Sequence, residues 1–359
     1  MLMSPEASLI PTEKRLFLRF WQSTTGFWWT PRAWALLIFL ISIMLLQLLV
    51  YYRLNFWNRD FFNAVERKDE TAILAQAIRF VPYAAGSLAL AIGSVWARMT
   101  TKRKWREWLS SHLYDYWLEH GHSHQLQFMP GEHQTPEYRI AEDAKVATEL
   151  PIDLLLGLLW SILSAITFIG ILWSVGGDLP IAIFGQALTI PKYLVIVVVV
   201  YSIFVTAATM IIGRRLTKVT EESKRTEAEL RSIGAGLREG CEATALPDGK
   251  RDGRRIIGAA LDQVIAKWLV LCWQNMRMTL VAHTNFLLSP ILALLLCMPK
   301  YVAGTMTLGD VIQAAAAFVL VQSAFNWITD SYVSIAEWTS SANRVASLLV
   351  AIDQIERPK

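Results

Sequence analysis

The run Ala33–Tyr52, AWALLIFLISIMLLQLLVYY, carries no charged residue in twenty positions. A helix rising about 1.5 Å per residue needs about twenty such residues to cross the ~30 Å hydrocarbon layer of a bilayer. The same reading places further spans near Phe80–Ala97, Ile152–Val175, Pro191–Gly213, Thr279–Met298 and Leu308–Ile328. The second and sixth are less apolar, because Gly86 and Gly93 interrupt one and Asp310, Gln313 and Gln322 the other. Hydrophobic residues make up 54% of the 359 residues against 18% charged, with mean hydropathy +0.36. That balance excludes an ordinary soluble two-domain chain and predicts an all-α membrane protein with six transmembrane helices.

Outside the spans, Lys and Arg set the expected orientation. Arg98, Lys102, Arg103, Lys104 and Arg106 follow the second span, and Arg214, Arg215, Lys218, Lys224 and Arg225 follow the fourth. Both stretches are therefore expected in the cytoplasm, with both termini on that side. Gly176–Ile190 has no Lys or Arg, which suits an outside loop, whereas Arg53–Arg79 is rich enough in cations to strain the rule. Lys14, Arg15 and Arg19 precede a full-length span with no small-residue cleavage site, so the N-terminus reads as retained. Residues 1–30 read as a cytoplasmic or interfacial segment, with an amphipathic helix over Leu16–Trp29 lying at the lipid surface. Residues 31–352 read as the six-helix domain and 353–359 as a tail.

The two inside stretches, Arg98–Pro151 and Arg214–Met278, are long and lack the Gly, Pro and Ser bias of linkers. Trp105, Trp108, Leu109, Leu113, Tyr116 and Trp117 recur at three- and four-residue spacing, and Lys218–Arg238 is dense in helix formers. Each stretch is predicted to be a long helical hairpin, broken at Met129-Pro130-Gly131 in the first and at Leu246-Pro247-Asp248-Gly249 in the second.

Six spans with two long intracellular hairpins is the plan of ABC exporter transmembrane domains, and particular residues carry the likeness further. Pro136-Glu137-Tyr138-Arg139-Ile140-Ala141-Glu142-Asp143 resembles the Asn-Pro-Asp-Gln-Arg-Ile-x-x-Asp signature of the SbmA/BacA-like and peroxisomal-type ABC transmembrane domains, departing from it at Thr135, Glu137 and Tyr138. Asn55–Ala64 and the run from Gly304 through Gln313, Phe318, Gln322, Trp327 and Glu337 to Arg344 add to the resemblance. In the second hairpin, Glu227 and Arg231 match the ends of the family's Glu-x-x-Phe-Arg, with Leu230 at the aromatic position. The resemblance covers residues 30–352. It implies the type-1 exporter fold and a homodimer in the bacterial inner membrane, moving peptides or similar bulky hydrophilic cargo by alternating access.

A phosphate-cradling Gly-x-x-x-x-Gly-Lys-Ser/Thr loop does not occur in these 359 residues. The Gly249-Lys250 pair has Thr244 in place of the first glycine and Arg251 in place of the hydroxyl. The chain is thus expected to act as a transporter and not itself as an enzyme, with no cofactor. Three energy sources fit: a proton gradient, as in SbmA/BacA-like proteins and the preferred reading; a separate ATPase subunit; or an ATPase domain lost by truncation. Gradient coupling calls for carboxylates at membrane edges or in a cavity. Glu149, Asp153, Asp310, Asp330 and Glu337 are the candidates, weighed against plainer roles: a membrane-edge acid for Glu149, a helix-end charge for Asp310, and cytoplasmic exposure or a salt bridge to Arg344 for Asp330 and Glu337. Gln313, Gln322, Phe318 and Asn326 form a partly polar seam predicted to line a cavity, with interface hydrogen bonding as the alternative.

His112, His120, His122, His124 and His133 crowd one stretch without the spacing of a tetrahedral metal site, so a metal-dependent membrane enzyme is a remote alternative. Three scattered cysteines suggest neither disulfides nor metal. The net charge of +4 is accounted for by the inside-facing span flanks; lipid is the expected surroundings, and no nucleic-acid pattern is present.

Overall fold

The computed structural model describes residues 13–119, 122–126, 135–183, 186–239 and 247–356. Helix α1 (Glu13–Trp28) leads through Thr30, whose hydroxyl accepts from the Ala33 amide, into α2 (Pro31–Glu66) with proline in its first turn. Helix α3 (Glu70–Leu118) follows a turn at residues 67–69, where Lys68 takes a positive φ of 56° and Asp69 caps α3 through the Ala72 amide. Short α4 (His122–Leu126) and α5 (Pro136–Tyr138) precede a π-helical turn (Arg139–Asp143) that runs directly into α6 (Ala144–Gly176). An antiparallel hairpin of β1 (Leu179–Ile183) and β2 (Gln186–Ile190), pairing Leu179 with Ile190, precedes α7 (Tyr193–Glu239). Helices α8 (Pro247–Val302) and α9 (Leu308–Glu356) complete the order.

Among the described residues, six helices are long and apolar enough to cross a membrane: α2, α3, the α5–α6 run, α7, α8 and α9. The expected all-α, six-span fold is therefore present, with the hairpin at residues 179–190 as a small β addition where a loop was anticipated. At about 1.5 Å per residue the 49-residue α3 reaches ~74 Å, more than twice the hydrocarbon thickness, so spans and hairpin arms are single helices. The region Arg53–Arg79 is helical except at its three-residue turn; Arg53, Arg59 and Arg79 ride on helix extensions, and Arg67 and Lys68 lie in the turn. Of the break anticipated at Leu246–Gly249, Pro247, Asp248 and Gly249 are instead the start of α8, where proline's missing N–H is harmless, and Leu246 lies outside the described residues. Residues 353–356, expected as tail, continue α9, and the break at Met129–Gly131 lies outside the described residues.

The chain divides into two compact units, Met1–Val175 with Lys300–Lys359, and Gly176–Pro299. In the first, a core at the α1, α3, α6 and α9 ends joins Phe20, Leu109, Leu113, Ile140, Ala144, Val345, Leu348, Leu349 and Ile352, all essentially inaccessible. A second core gathers Phe27, Ala33, Leu40, Ile43, Ala97, Trp105, Ile152 and Leu156. Thus α1 docks Phe20 and Phe27 into the protein and leaves Phe17, Leu18 and Trp21 exposed, consistent with the amphipathic helix expected there. In the second unit α7 and α8 run antiparallel. Tyr193 donates to the Leu296 carbonyl at 2.8 Å, Tyr201 to Asn285 at 3.0 Å and Gln274 to the Ile212 carbonyl at 2.6 Å, while Lys267 meets Glu222 at 2.6 Å. Large apolar side chains left exposed on α2, α3, α6, α7 and α8 are what a lipid-immersed surface requires.

Candidate functional site

The signature segment forms a buried ion cluster. Pro136 opens the helix, and the π turn that follows turns both Ile140 and Asp143 inward, to 0% and 3% exposure. One Asp143 oxygen accepts from Arg344 Nε at 2.9 Å and Nη2 at 2.6 Å; the other accepts from Arg139 Nη1 at 3.1 Å. Arg344 is held in turn by the hydroxyls of Ser340 and Ser341, at 2.6 and 2.8 Å. A carboxylate shared by two guanidinium groups is a strong, directional tie, and here it joins the first hairpin to α9. Arg344, weighed as a partner for Asp330 or Glu337, takes Asp143 instead.

A second clamp lies two turns further along α9. Asp353 receives Arg19 in a two-pronged pair, 2.7 Å at each oxygen, and the Tyr116 hydroxyl at 2.8 Å. These bonds raise the Arg19 guanidinium above its ordinary range, so it stays charged at any accessible pH. Helices α1, α3 and α9 are thereby fastened together. Sequence reasoning missed this clamp because its partners are 334 positions apart.

The opposite end of α9 is fastened to α2. Thr307 and Asp310 form a reciprocal capping box: the Asp310 carboxylate accepts from the Thr307 amide at 3.1 Å, and the Thr307 hydroxyl accepts from the Asp310 amide at 3.2 Å. Asp310 thus sits at a helix end. The next amides are satisfied from α2, with Leu308 N–H donating to Glu66 at 3.0 Å and Gly309 N–H to Asn63 at 2.9 Å. A side chain at Gly309 would overlap the Arg59 carbonyl and Asn63, so glycine permits this approach.

The polar seam of α9 is packed inside the first unit. Gln313 and Phe318 are 0% exposed and Gln322 4%, so the structure places these three in helix packing and not on an open wall. Gln322 donates to half-buried Asn326 at 3.0 Å, and Asn55 of α2 donates to the Gln313 carbonyl at 3.2 Å. The Gln313 amide group and Asn55 Oδ1 are buried without hydrogen-bond partners.

Among the remaining candidate carboxylates, Asp153 has the most developed surroundings. It faces Lys102 at 2.5 Å and Arg98 at 3.7 Å in a cavity of about 320 Å³ lined by α2, α3 and α6. Glu149 lies 3.8 Å from Arg106, while Asp330 and Glu337 are on exposed positions of α9. Glu227 and Arg231 are exposed on α7. His112 stacks on Trp108 at 5.4 Å and His124 is exposed; His120, His133 and Cys241 lie outside the described residues, as does the side chain of His122. No group of His, Cys, Asp and Glu suited to a metal ion occurs among the described residues.

The profile of the family described as ABC transporter transmembrane region 2 matches residues 28–302, the stretch that holds the Asp143 motif and five of the six spans. The chain belongs to this family. It is 28% identical over 324 residues to the inner membrane ABC transporter ATP-binding protein YddA of Escherichia coli K12, covering 87% of this chain and 56% of that protein. Over 356 residues it is 20% identical to ABC transporter D family member 2, chloroplastic, of Arabidopsis thaliana, covering 95% and 47%. An uncharacterised ABC transporter ATP-binding protein of Synechocystis is 26% identical over 262 residues, covering 71% and 37%. The chain spans about half the length of the curated relatives it matches. As an ABC transporter transmembrane region it is a multi-pass membrane protein, and its six spanning helices and hairpin arms are those of that family's fold.

Proposed function

We propose that two copies of this chain pack their spans around a shared pathway and move peptides or similar bulky hydrophilic cargo by alternating access, driven by ATP hydrolysis on a nucleotide-binding module. The observation that carries this reading is α9: one unbroken helix from the Thr307–Asp310 cap to Glu356, fastened to α2 at one end and to the first hairpin and α1 at the other. A push delivered at its Asp353 end is transmitted to the spans as a rigid displacement, because both ends are held by charged or capping bonds. The relatives named as ATP-binding proteins support ATP as the source. The basic flanks of α3 and α7 support a reading in which the Asp143 and Asp353 clamps, and both termini, face the cytoplasm of a bacterial inner membrane.

Proton coupling of the SbmA/BacA type is the second reading, and the Asp153–Lys102–Arg98 group at the membrane edge favours it. Transport of a labelled peptide by vesicles from cells expressing the chain in its native genetic context separates the two. ATP drive predicts that vanadate abolishes transport while a protonophore spares it. The reverse pattern assigns the energy to the proton gradient, and transport of no peptide at all overturns the cargo.

A further inference from the structure

The cavity among α2, α3 and α6 holds an imbalance that helix packing does not explain. Its walls include Gln47 and Tyr51 from α2, Ser94 and Arg98 from α3, and Asp153 and Trp160 from α6. Lys102 saturates one Asp153 oxygen at 2.5 Å, while Arg98 approaches the other only to 3.7 Å, beyond hydrogen-bond reach. Arg98 Nε is buried with no acceptor, and Asp153 Oδ1 is buried with no donor. Two cations therefore face one carboxylate at the cytoplasmic edge of the spans, where the Arg98 guanidinium lines a space of about 320 Å³. Arg98, its side chain 43% exposed, keeps only this long ion pair to Asp153, and an oxygen anion is the natural complement of its unfilled N–H groups.

We propose that this cavity is the subsite that holds the C-terminal carboxylate of the transported peptide, with Arg98 as the residue that recognises it; this rests on the peptide-transport reading above. Arginine presents two parallel N–H groups matched to a carboxylate, which an ammonium lacks. The volume lies at the lower end of the range for small-ligand pockets, room for the end of a peptide and not for its whole length. Gln47, Tyr51 and Ser94 offer donors and acceptors along the same wall, which a peptide backbone uses and a lipid acyl chain leaves idle. Tyr51 and Trp160, edge to face at 5.6 Å, supply an aromatic surface for the terminal side chain. Gly157 lets Trp327 of α9 close against α6 behind that wall, so the subsite is backed by the helix that carries the clamps.

The test uses the purified full chain in nanodiscs and an N-terminally labelled pool of mixed-sequence hexapeptides, made once as free acids and once as C-terminal amides, with binding read by fluorescence anisotropy. The free acids bind about ten-fold tighter or more, the scale of a charge-assisted pair. Arg98→Gln lowers the free-acid affinity to that of the amides, Arg98→Lys retains part of the preference, and Arg103→Gln, outside the cavity, retains all of it. Equal binding of acids and amides by the unaltered chain overturns the subsite and leaves peptide transport standing, as does a preference that survives Arg98→Gln. A preference that vanishes when anionic lipid is added to the nanodisc shows a lipid headgroup as occupant and overturns the proposal. Binding of neither pool removes the peptide cargo and the subsite together.

Discussion

Asp143→Asn probes the clamp at the signature motif with almost no change of shape. The side chain is 4% exposed and its two oxygens serve Arg344 and Arg139, whose side chains are 36% and 13% exposed. Neutralising it leaves two guanidinium groups facing a neutral amide whose nitrogen brings a donor where an acceptor was needed. Removing one partner of a buried pair costs about 3–5 kcal/mol. Water can reach Arg344, so screening lowers the expected cost to about 2–4 kcal/mol of local opening free energy. At 1.4 kcal/mol per factor of ten, amide hydrogen exchange in the π turn and the facing turn of α9 accelerates roughly 30- to 700-fold, measured by mass spectrometry in detergent. Exchange in α7 and in α8 up to Pro299, which belong to the other compact unit, stays unchanged. Arg344→Met combined with Asp143→Asn costs less than the sum of the two single changes, since the same bonds cannot be lost twice. Exchange within two-fold of the unaltered chain, or strict additivity of the pair, refutes the clamp.

Gly309→Ala forces α2 and α9 apart, because the new methyl group meets the Arg59 carbonyl, a backbone atom that cannot swing aside, as well as the Asn63 side chain. The expected loss is about 1–3 kcal/mol, seen as earlier thermal unfolding by tryptophan fluorescence. Arg19→Ala removes the two-pronged bond to Asp353 and loosens α1, with faster proteolysis of the α1–α2 junction and a destabilisation of about 1–2 kcal/mol for this half-exposed pair. Thr307→Val breaks the α9 capping box and is expected to cost about 1 kcal/mol, with fraying of the first turn of α9 by hydrogen exchange. In the second unit, the Lys267 ammonium holds the Glu222 carboxyl below its usual range. A carboxyl depressed in the folded state lends stability above the ordinary carboxylate pKa and loses it as pH falls through the folded value. Exchange at the α7 and α8 ends therefore quickens on acidification, and Lys267→Met abolishes that pH dependence.

Some of the candidate site was legible before the structure. Arg139, Ile140 and Asp143 stood out in the signature, and Arg344 in the matched α9 run, but that they meet was not visible, because 201 positions separate Asp143 from Arg344. Asp310 had been weighed as a helix-end charge from its place after Thr307 and Gly309, and the structure shows that local arrangement in full. The seam of Gln313 and Gln322 followed from helical spacing, yet spacing reports only that residues share a face. It does not report what covers the face, which for Gln313 is Asn55 of α2. Glu66 and Asn63 gave no local signal, since their work is to satisfy amides of a helix more than 240 positions away.

By itself, the sequence determined six spanning helices, the long hairpin arms and the ABC-type transmembrane plan they make, because transfer of a run such as Ala33–Tyr52 into lipid is a local free energy summed residue by residue. The tertiary structure alone decided which charges pair: Asp143 with Arg344 and Arg139, Asp353 with Arg19, Asp153 with Lys102. It also left Arg98 without a hydrogen-bond acceptor. An ion pair depends on distance and burial, and both arise only when segments far apart in the chain are packed side by side.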